Sequence, residues 1–472
     1  MGNQIVSKIT VYDDSQVGLS TYCSEPRRSH KDFLLTFFGA LDSGHVRYCV
    51  LHSWEELPDE LSSDLDIAVH PDDAKRLRSA FSPLLKKGYI ALPEINYFIG
   101  AYCFRFVWFH GATVTCLAVD VIFNFQRGVL TTPSVKRLLS GRIQHGMFWI
   151  PAPESEFIYL LARRTWKGTA SPRQQHRLQV LVEQLGVSAA EKLASELFLG
   201  KVNVRVIAAC ASGSLNALLP KIKREPWKTS VVRNPFRLLT DLMLDGVRRI
   251  RRWLQPTGLF VVVMGPDGVG KSTLIKHLVQ TVGAAFDRHR LFHWRPMLLW
   301  RRKTKRDTTK PHGLESHGRF RSIARLFAHL SDYCLGYWLL IRPLVCRSGL
   351  VIFDRYFDDI SIDPRRYRYG GPLWLARILR HLIPEPDLTL VLDAPDEVVF
   401  SRKQEIDAAE MGRQRRLYSS CTRRNCSTRV IDASRSIEQV TNDAAKAVIE
   451  QLSRRDECQN GPWRSPLTDD IR

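Results

Sequence analysis

The sequence predicts an α/β protein: a C-terminal parallel sheet with helices on both faces, preceded by a helical connector and an N-terminal α+β domain. Three observations carry that expectation. From residue 259 strand-like and helix-like stretches alternate to about residue 454, the order produced by crossover units. The strand-like stretches at 259–264, 350–354, 388–393 and 429–432 are continuous β-branched runs, as strands buried on both sides are. Directly after the first run, and directly before a helical pattern, stands Gly265-Pro266-Asp267-Gly268-Val269-Gly270-Lys271-Ser272.

The helical patterns between those strands fall at 272–282, 321–340, 373–382, 396–410 and 436–452. The last opens on Ser436 with Gln439 three positions on, the spacing of a capping box. Upstream, 30–165 mixes strand-like runs at 46–51, 65–69 and 114–123 with a helical pattern at 72–84. Residues 166–256 read as a basic helical connector, ending in 238–253 where apolar and arginine positions recur at helical spacing. Gln255-Pro256-Thr257-Gly258 breaks that pattern. The sheet domain is expected over 257–455, and 456–472 as a polar tail.

At 472 residues the chain exceeds what one core holds. Hydrophobic residues make up 44% and charged residues 25%, the balance of a soluble globular protein. The longest apolar runs fall well short of the ~20 residues of a membrane span. The first six residues lack the basic start and apolar core of a secretory leader, and Val6 stands where a myristoylation motif needs Ser or Thr. A cytosolic chain is expected. The ten cysteines are scattered without a C-x-x-C, so no zinc site is expected. The net charge of +21 favours anionic partners, whether phosphorylated small molecules or nucleic acid. Basic clusters run from Arg295 to Lys310 and from Arg402 to Arg424.

The 265–272 segment fits G-x-x-x-x-G-K-[ST] between a strand and a helix. Glycines let backbone N–H groups converge on a phosphate, and the following helix adds about half a positive charge at its N-terminus. Gly265, Asp267, Gly268, Val269, Gly270, Lys271, Ser272 and Thr273 are the expected nucleotide-binding residues. Lys271 is expected to span the β- and γ-phosphates of ATP, and the Ser272 hydroxyl to ligate Mg²⁺.

This loop, with its acid at the third position, resembles that of thymidylate kinases. Leu350-Val351-Ile352-Phe353-Asp354-Arg355-Tyr356 resembles the family's strand-borne Asp-Arg-Tyr motif, and Pro386 to Asp393 its next strand. The stretch from Arg402 to Arg416 falls where the family places an arginine-bearing lid, and Val430-Ile431-Asp432-Ala433 resembles its closing strand. The resemblance implies an ATP- and Mg²⁺-dependent phosphotransferase, with a dimer as the family's usual assembly. It implies that Asp354 positions Mg²⁺ and acceptor, that Arg355 holds the acceptor phosphate and that Asp267 receives an acceptor hydroxyl. Arg413, Arg415 and Arg416 become lid cations facing the transferred phosphoryl group. Asp393 is either a second metal-side carboxylate or a turn former at its strand end.

The acceptor half departs from the family. The helix before the Asp-Arg-Tyr motif reads Ser331-Asp332-Tyr333-Cys334-Leu335-Gly336-Tyr337, with no arginine to read thymine. His293-Trp294-Arg295-Pro296 and the stretch from Phe357 to Arg368 also differ. The expected acceptor is a small anion, a nucleotide or sugar phosphate, other than thymidylate. The alternative is an ATP-sensing protein that binds nucleic acid through its basic surface.

In the N-terminal third, Asp64 and Asp66 stand at i and i+2 on one strand, hence on one face. Asp120 lies on a later strand, and Ser53 stands eleven residues before Asp64. The arrangement resembles polymerase-β-type nucleotidyltransferases, with His52 in place of that family's glycine. The resemblance implies a nucleotidyltransferase-like domain in which Asp64, Asp66 and Asp120 hold metal ions for a nucleoside triphosphate.

Overall fold

The structure is a computed structural model and describes residues 30–61, 64–92, 95–110, 113–126, 133–198, 200–226, 228–229, 235–298, 315–402, 408–421 and 428–460. Lys403, Arg423, Arg424, the arginine- and lysine-rich run at 301–310 and the end of the expected tail lie outside those residues.

The first described element, α1 (His30–Ser43), places Phe33, Leu34, Phe37, Phe38 and Leu41 on one face, all fully buried. They pack against a sheet of β1 (Tyr48–Val50), β2 (Leu65–Val69), β3 (Ile90–Ala91), β4 (Ile95–His110) and β5 (Thr113–Gln126), in spatial order β1-β2-β5-β4-β3. Only β2 and β5 pair in parallel, which sets Asp66 opposite Asp120. Along β4, Tyr102, Phe104, Phe106 and Trp108 alternate at period two into the α1 core. Neither α1 nor β4 was expected from the sequence. A hairpin of β6 (Ile143–His145) and β7 (Phe148–Ile150) follows.

α2 (Pro153–Lys167) and the helices Pro172–Leu185, Val187–Ala194, Val202–Ala211 and Leu215–Ile222 cover the opposite face through Cys49, Leu51, Ala68 and Ile122. The helices of the expected connector up to Ile222 thus share a core with the N-terminal sheet. The long helix α3 (Pro235–Leu254) then leads to the second sheet.

In that sheet β8 (Leu259–Met264), β9 (Arg288–His293), β10 (Gly349–Asp354), β11 (Leu388–Asp393) and β12 (Thr428–Asp432) run in order β12-β11-β8-β10-β9, every pairing parallel. All six residues of β8 are buried, as a run with no polar position requires. The covering helices are α4 (Lys271–Val282), α5 (Arg319–Gly336), α6 (Leu373–Leu379), α7 (Asp396–Arg402), α8 (Ala408–Cys421) and α9 (Ile437–Asn460). α4 and α9 bury one face of the sheet, and α5 and α6 the other. The helix expected over 396–410 is instead α7 and α8, with 403–407 between them outside the described residues. β9 escaped notice because only Phe292 is buried among its six residues, so its sequence is polar.

The two sheets are packed together. Leu92 and Val107 belong to the same buried cluster as β8, α4 and α9. Buried Arg105 on β4 donates to the Ala285 carbonyl at 2.9 Å and pairs with Asp287, just before β9.

Candidate functional site

Strand β8 delivers the phosphate loop at the C-terminal edge of the sheet. Gly265, Gly268 and Gly270 take φ of 144°, 83° and 104°, values that L residues avoid. A Cβ on Gly265 would stand 2.7 Å from the Leu392 carbonyl oxygen, so the loop passes β11 too closely for a side chain. At Gly270 the corresponding direction is open. Lys271 opens α4 and is buried, its ammonium donating to the carbonyls of Gly265 at 2.8 Å and Pro266 at 2.7 Å. Burial, with the Arg355 guanidinium nearby, pulls its pKa down to about 7.

The neighbouring strand β10 ends on Asp354, and the chain turns at Arg355 with φ of 77°. This left-handed residue is pinned by its own N–H on the Val263 carbonyl at 3.0 Å. Ser272 Oγ lies 3.5 Å from Asp354 Oδ2, and His293 Nδ1 3.3 Å from the same oxygen. Burial pushes the Asp354 pKa up, but the His293 hydrogen bond and the Lys271 charge outweigh it, and the net direction is down. Among the described residues Asp354 Oδ1, which is buried, has no hydrogen-bond partner. A buried, ionised oxygen without a partner beside a serine hydroxyl is the donor set a hard divalent cation takes. The open glycine cradle fits a phosphate in the same way. The residues present therefore fit ATP and Mg²⁺.

Arg355 bridges two carboxylates. It pairs with Asp267 of the loop and, at 2.8 Å, with Asp359, which is fully buried. Asp359 also accepts from Tyr418 at 3.1 Å and Tyr367 at 3.3 Å. Asp267 carries a second guanidinium from Arg366, so an acceptor hydroxyl has to compete with two arginines for it. Of the expected lid cations, Arg413 is bound to Glu410 and the Ile362 carbonyl, and Arg415 to Asp393 and Asp396. Arg416 is exposed. Asp393, at the end of β11, is held by Arg415 of α8 at 2.6 Å.

The acceptor side, where the sequence departs from the family, is built around Arg295. Arg295 is buried and pairs at 3.2 Å with Asp332 of α5, whose carboxylate also accepts from the N–H groups of Met297 at 3.1 Å and Leu298 at 2.7 Å. An arginine does reach this helix, but from the segment after β9. Trp294, at φ of 67°, packs on Tyr367 with ring centroids 4.4 Å apart and edge-on to His329 at 4.9 Å. Arg325, His329, Tyr367 and Arg368 line a small cavity beside it. The run at 293–296 is legible in the sequence as a departure, but its role is not, because the polar character of β9 hides the strand that delivers it.

The N-terminal carboxylates Asp64, Asp66 and Asp120 share one face, and each has its own electrostatic surroundings. Asp66 is fixed by Arg163 at 2.9 and 3.2 Å and by His52 Nε2 at 2.8 Å. His52 and the Arg163 guanidinium together hold its carboxyl well below the usual range against the opposing effect of burial. Asp120 is pushed up to about 6 by burial and by Asp66. Asp64, raised by desolvation and Asp66, also feels Arg105 and Asp287. Among the described residues no group of three or more His, Cys, Asp or Glu side chains is placed to hold a metal ion. A guanidinium already supplies the counter-charge a metal would bring.

No family model matches the chain. The sequence is 29% identical over 220 residues to the "Probable thymidylate kinase" of Caldivirga maquilingensis, spanning 43% of this chain and 98% of that protein. It is 30% identical over 156 residues to the "Thymidylate kinase" of Xanthomonas euvesicatoria, spanning 32% of this chain and 62% of that protein. A third match, the "Thymidylate kinase" of Xanthomonas campestris, is 28% identical over 215 residues, 43% of this chain and 88% of that protein. Part of the chain is therefore similar to thymidylate kinases, and this likeness supports a thymidylate-kinase-like P-loop kinase.

Proposed function

We propose that the C-terminal half is an ATP-dependent kinase that phosphorylates a small anionic acceptor, a nucleotide or sugar phosphate. The observation that carries this reading is the convergence at two adjacent strand ends. The loop Lys271 and Ser272 meet Asp354, whose buried Oδ1 lacks a partner, and Arg355 continues from there into the acceptor side. An ATP sensor has no use for that second half.

In this reading the glycine cradle and Lys271 bind the nucleotide phosphates, and Ser272 with Asp354 would hold Mg²⁺. The metal ion, when bound, neutralises charge on the phosphates. Arg355 and Arg366 hold the anionic acceptor, and the ion pair to Asp267 keeps both guanidinium groups aimed before it arrives. Trp294 and Tyr367 supply a flat apolar wall for a ring. Arg416 is the exposed lid arginine left to approach the transferred group, while Arg413 and Arg415 orient α8. The nucleotidyltransferase-like sheet serves as a docked partner of the kinase half.

The test is a screen of radiolabelled ATP against nucleoside monophosphates, sugars and sugar phosphates. Selective transfer to one phosphorylated small molecule other than thymidylate supports the proposal. Selective transfer to thymidylate contradicts the acceptor assignment, and ATP turnover stimulated only by DNA or RNA contradicts the kinase reading.

A further inference from the structure

Asp359 is a fully buried carboxylate that, among the described residues, accepts side-chain hydrogen bonds from three separate parts of the kinase half. Arg355 Nη1 reaches its Oδ2 at 2.8 Å from the turn after β10. The Tyr367 hydroxyl donates to the same oxygen at 3.3 Å, from the stretch before α6. Tyr418 donates to Oδ1 at 3.1 Å from α8, and its hydroxyl lies 3.5 Å from Arg355 Nη1. Burial and the adjacent carboxylate hold both phenol pKa values well above their usual range, so the two hydroxyls stay protonated. Charge-assisted bonds to a desolvated carboxylate are stronger than neutral ones and hold their donors in fixed directions.

The placement of these donors relative to one another matters to the proposed reaction. Arg355 also pairs with Asp267 of the phosphate loop. The Asp267 side chain is 13% exposed and that of Asp359 not at all, so an incoming anion displaces Asp267 and leaves Asp359 in place. Asp359 therefore sets the direction of the guanidinium in the loaded site. Tyr367 packs on Trp294, so the same carboxylate fixes how far the acceptor's anion sits from the wall for its ring. Tyr418 brings in the expected lid helix. Met411, Gln414 and Tyr418, at spacings of three and four, are buried on the inward stripe of α8, while Arg416 is exposed. The seating of Tyr418 on Asp359 thus decides where α8 holds Arg416.

We propose that Asp359 is a positioning residue that couples an anion on Arg355 to the seating of α8, with Tyr418 as the link. The inference rests on the kinase reading above and adds to it that the acceptor's anion tightens the lid helix before transfer. An anion that immobilises Arg355 immobilises Asp359 with it, and the Tyr418 hydroxyl then has a fixed acceptor. Opening of α8 becomes rarer while the anion is bound, which is a coupling free energy between two places in the fold. Unseated α8 is the minor state, so cutting the link changes its opening far more than it changes anion affinity.

The experiment fills the donor site of the full chain with Mg²⁺ and a non-hydrolysable ATP analogue. Inorganic phosphate is then titrated while amide hydrogen exchange of α8 is followed by mass spectrometry. In wild type, bound phosphate should slow that exchange at least about fivefold. Tyr418→Phe keeps the ring and removes one hydroxyl; it should bind phosphate within about twofold of wild type and lose the slowing. Asp359→Asn keeps the shape and removes the charge; it should weaken phosphate at least about tenfold, with affinity for the analogue within about twofold. A purely structural role would lower the unfolding midpoints and move neither readout. That result overturns the coupling, as does slowing retained in Tyr418→Phe, phosphate affinity retained in Asp359→Asn, or no slowing in phosphate-bound wild type. A wild-type chain that binds the analogue but no phosphate removes the acceptor site itself, and the kinase reading with it.

Discussion

Replacing Asp332 by alanine probes the acceptor side without touching a group assigned to nucleotide. The carboxylate is fully buried and is the counter-ion of Arg295, itself 7% exposed at its side chain. It also accepts the N–H groups of Met297 and Leu298. Removing one partner of a buried pair costs ~3–5 kcal/mol, because the remaining charge stays desolvated. The two orphaned amides belong to the same network and do not simply add. At about 2–4 °C per kcal/mol for a body of this size, the kinase-half transition should fall on the order of 10 °C. The functional consequence follows from geometry. Arg295 follows Trp294, and both Trp294 and Met297 are held at positive φ by this segment. Once slack, the segment no longer keeps Trp294 against Tyr367. Acceptor KM should therefore rise about tenfold or more while ATP affinity stays within about twofold, a loss of ~1.4 kcal/mol on one substrate only. The double change Arg295→Met with Asp332→Leu should recover most of the stability, since it leaves no unpaired charge. A fall of less than ~1 kcal/mol for Asp332→Ala, or an equal loss of ATP and acceptor affinity, would refute this reasoning.

Three further outcomes follow. Lys271→Ala should abolish ATP-dependent phosphotransfer with the fold retained by circular dichroism, and an unchanged rate would remove the kinase assignment. Asp120 has a folded pKa pushed up to about 6, so its folded form binds a proton more tightly than its unfolded form, and stability rises as pH falls from about 6 towards 4; Asp120→Asn should flatten that rise and add roughly 2 kcal/mol at pH 7. Arg105→Ala leaves Asp287 and the Ala285 carbonyl without their buried donor and should split thermal unfolding into two resolvable transitions in calorimetry; a single unshifted transition would count against coupling between the two sheets.

How far the sequence discloses this molecule depends on what each residue contributes locally. The strands at 259–264, 350–354 and 388–393 are legible because a strand buried on both faces must be apolar at every position. The phosphate loop is legible because three glycines and a lysine are demanded by backbone geometry and charge at fixed spacing. β9 is an edge strand whose exposed Arg288, His289 and Arg290 conceal it, and with it the segment that carries Trp294 and Arg295. The role of Arg295 depends on Asp332, 37 positions away, a pairing that only the packing of α5 beside β10 reveals. The N-terminal carboxylates show what strand spacing leaves out. Asp64, Asp66 and Asp120 share a face, and Arg163 arrives from α2 to pair with Asp66 at 2.9 Å. Spacing within a strand gives the face of a side chain; it does not give the charge that a distant helix brings to it.

The central claim is that the paired strand ends form a phosphotransfer site, with Asp354 acting beyond nucleotide binding. The most direct measurement compares Asp354→Asn with wild type in both ATP affinity, by titration calorimetry, and single-turnover transfer to the acceptor found in the screen. The account predicts a fall of about a hundredfold or more in transfer, the scale of losing one electrostatic group at a reacting centre, with ATP affinity changed only a few-fold. Transfer at the wild-type rate, or a loss of ATP binding as large as that of Lys271→Ala, would contradict it.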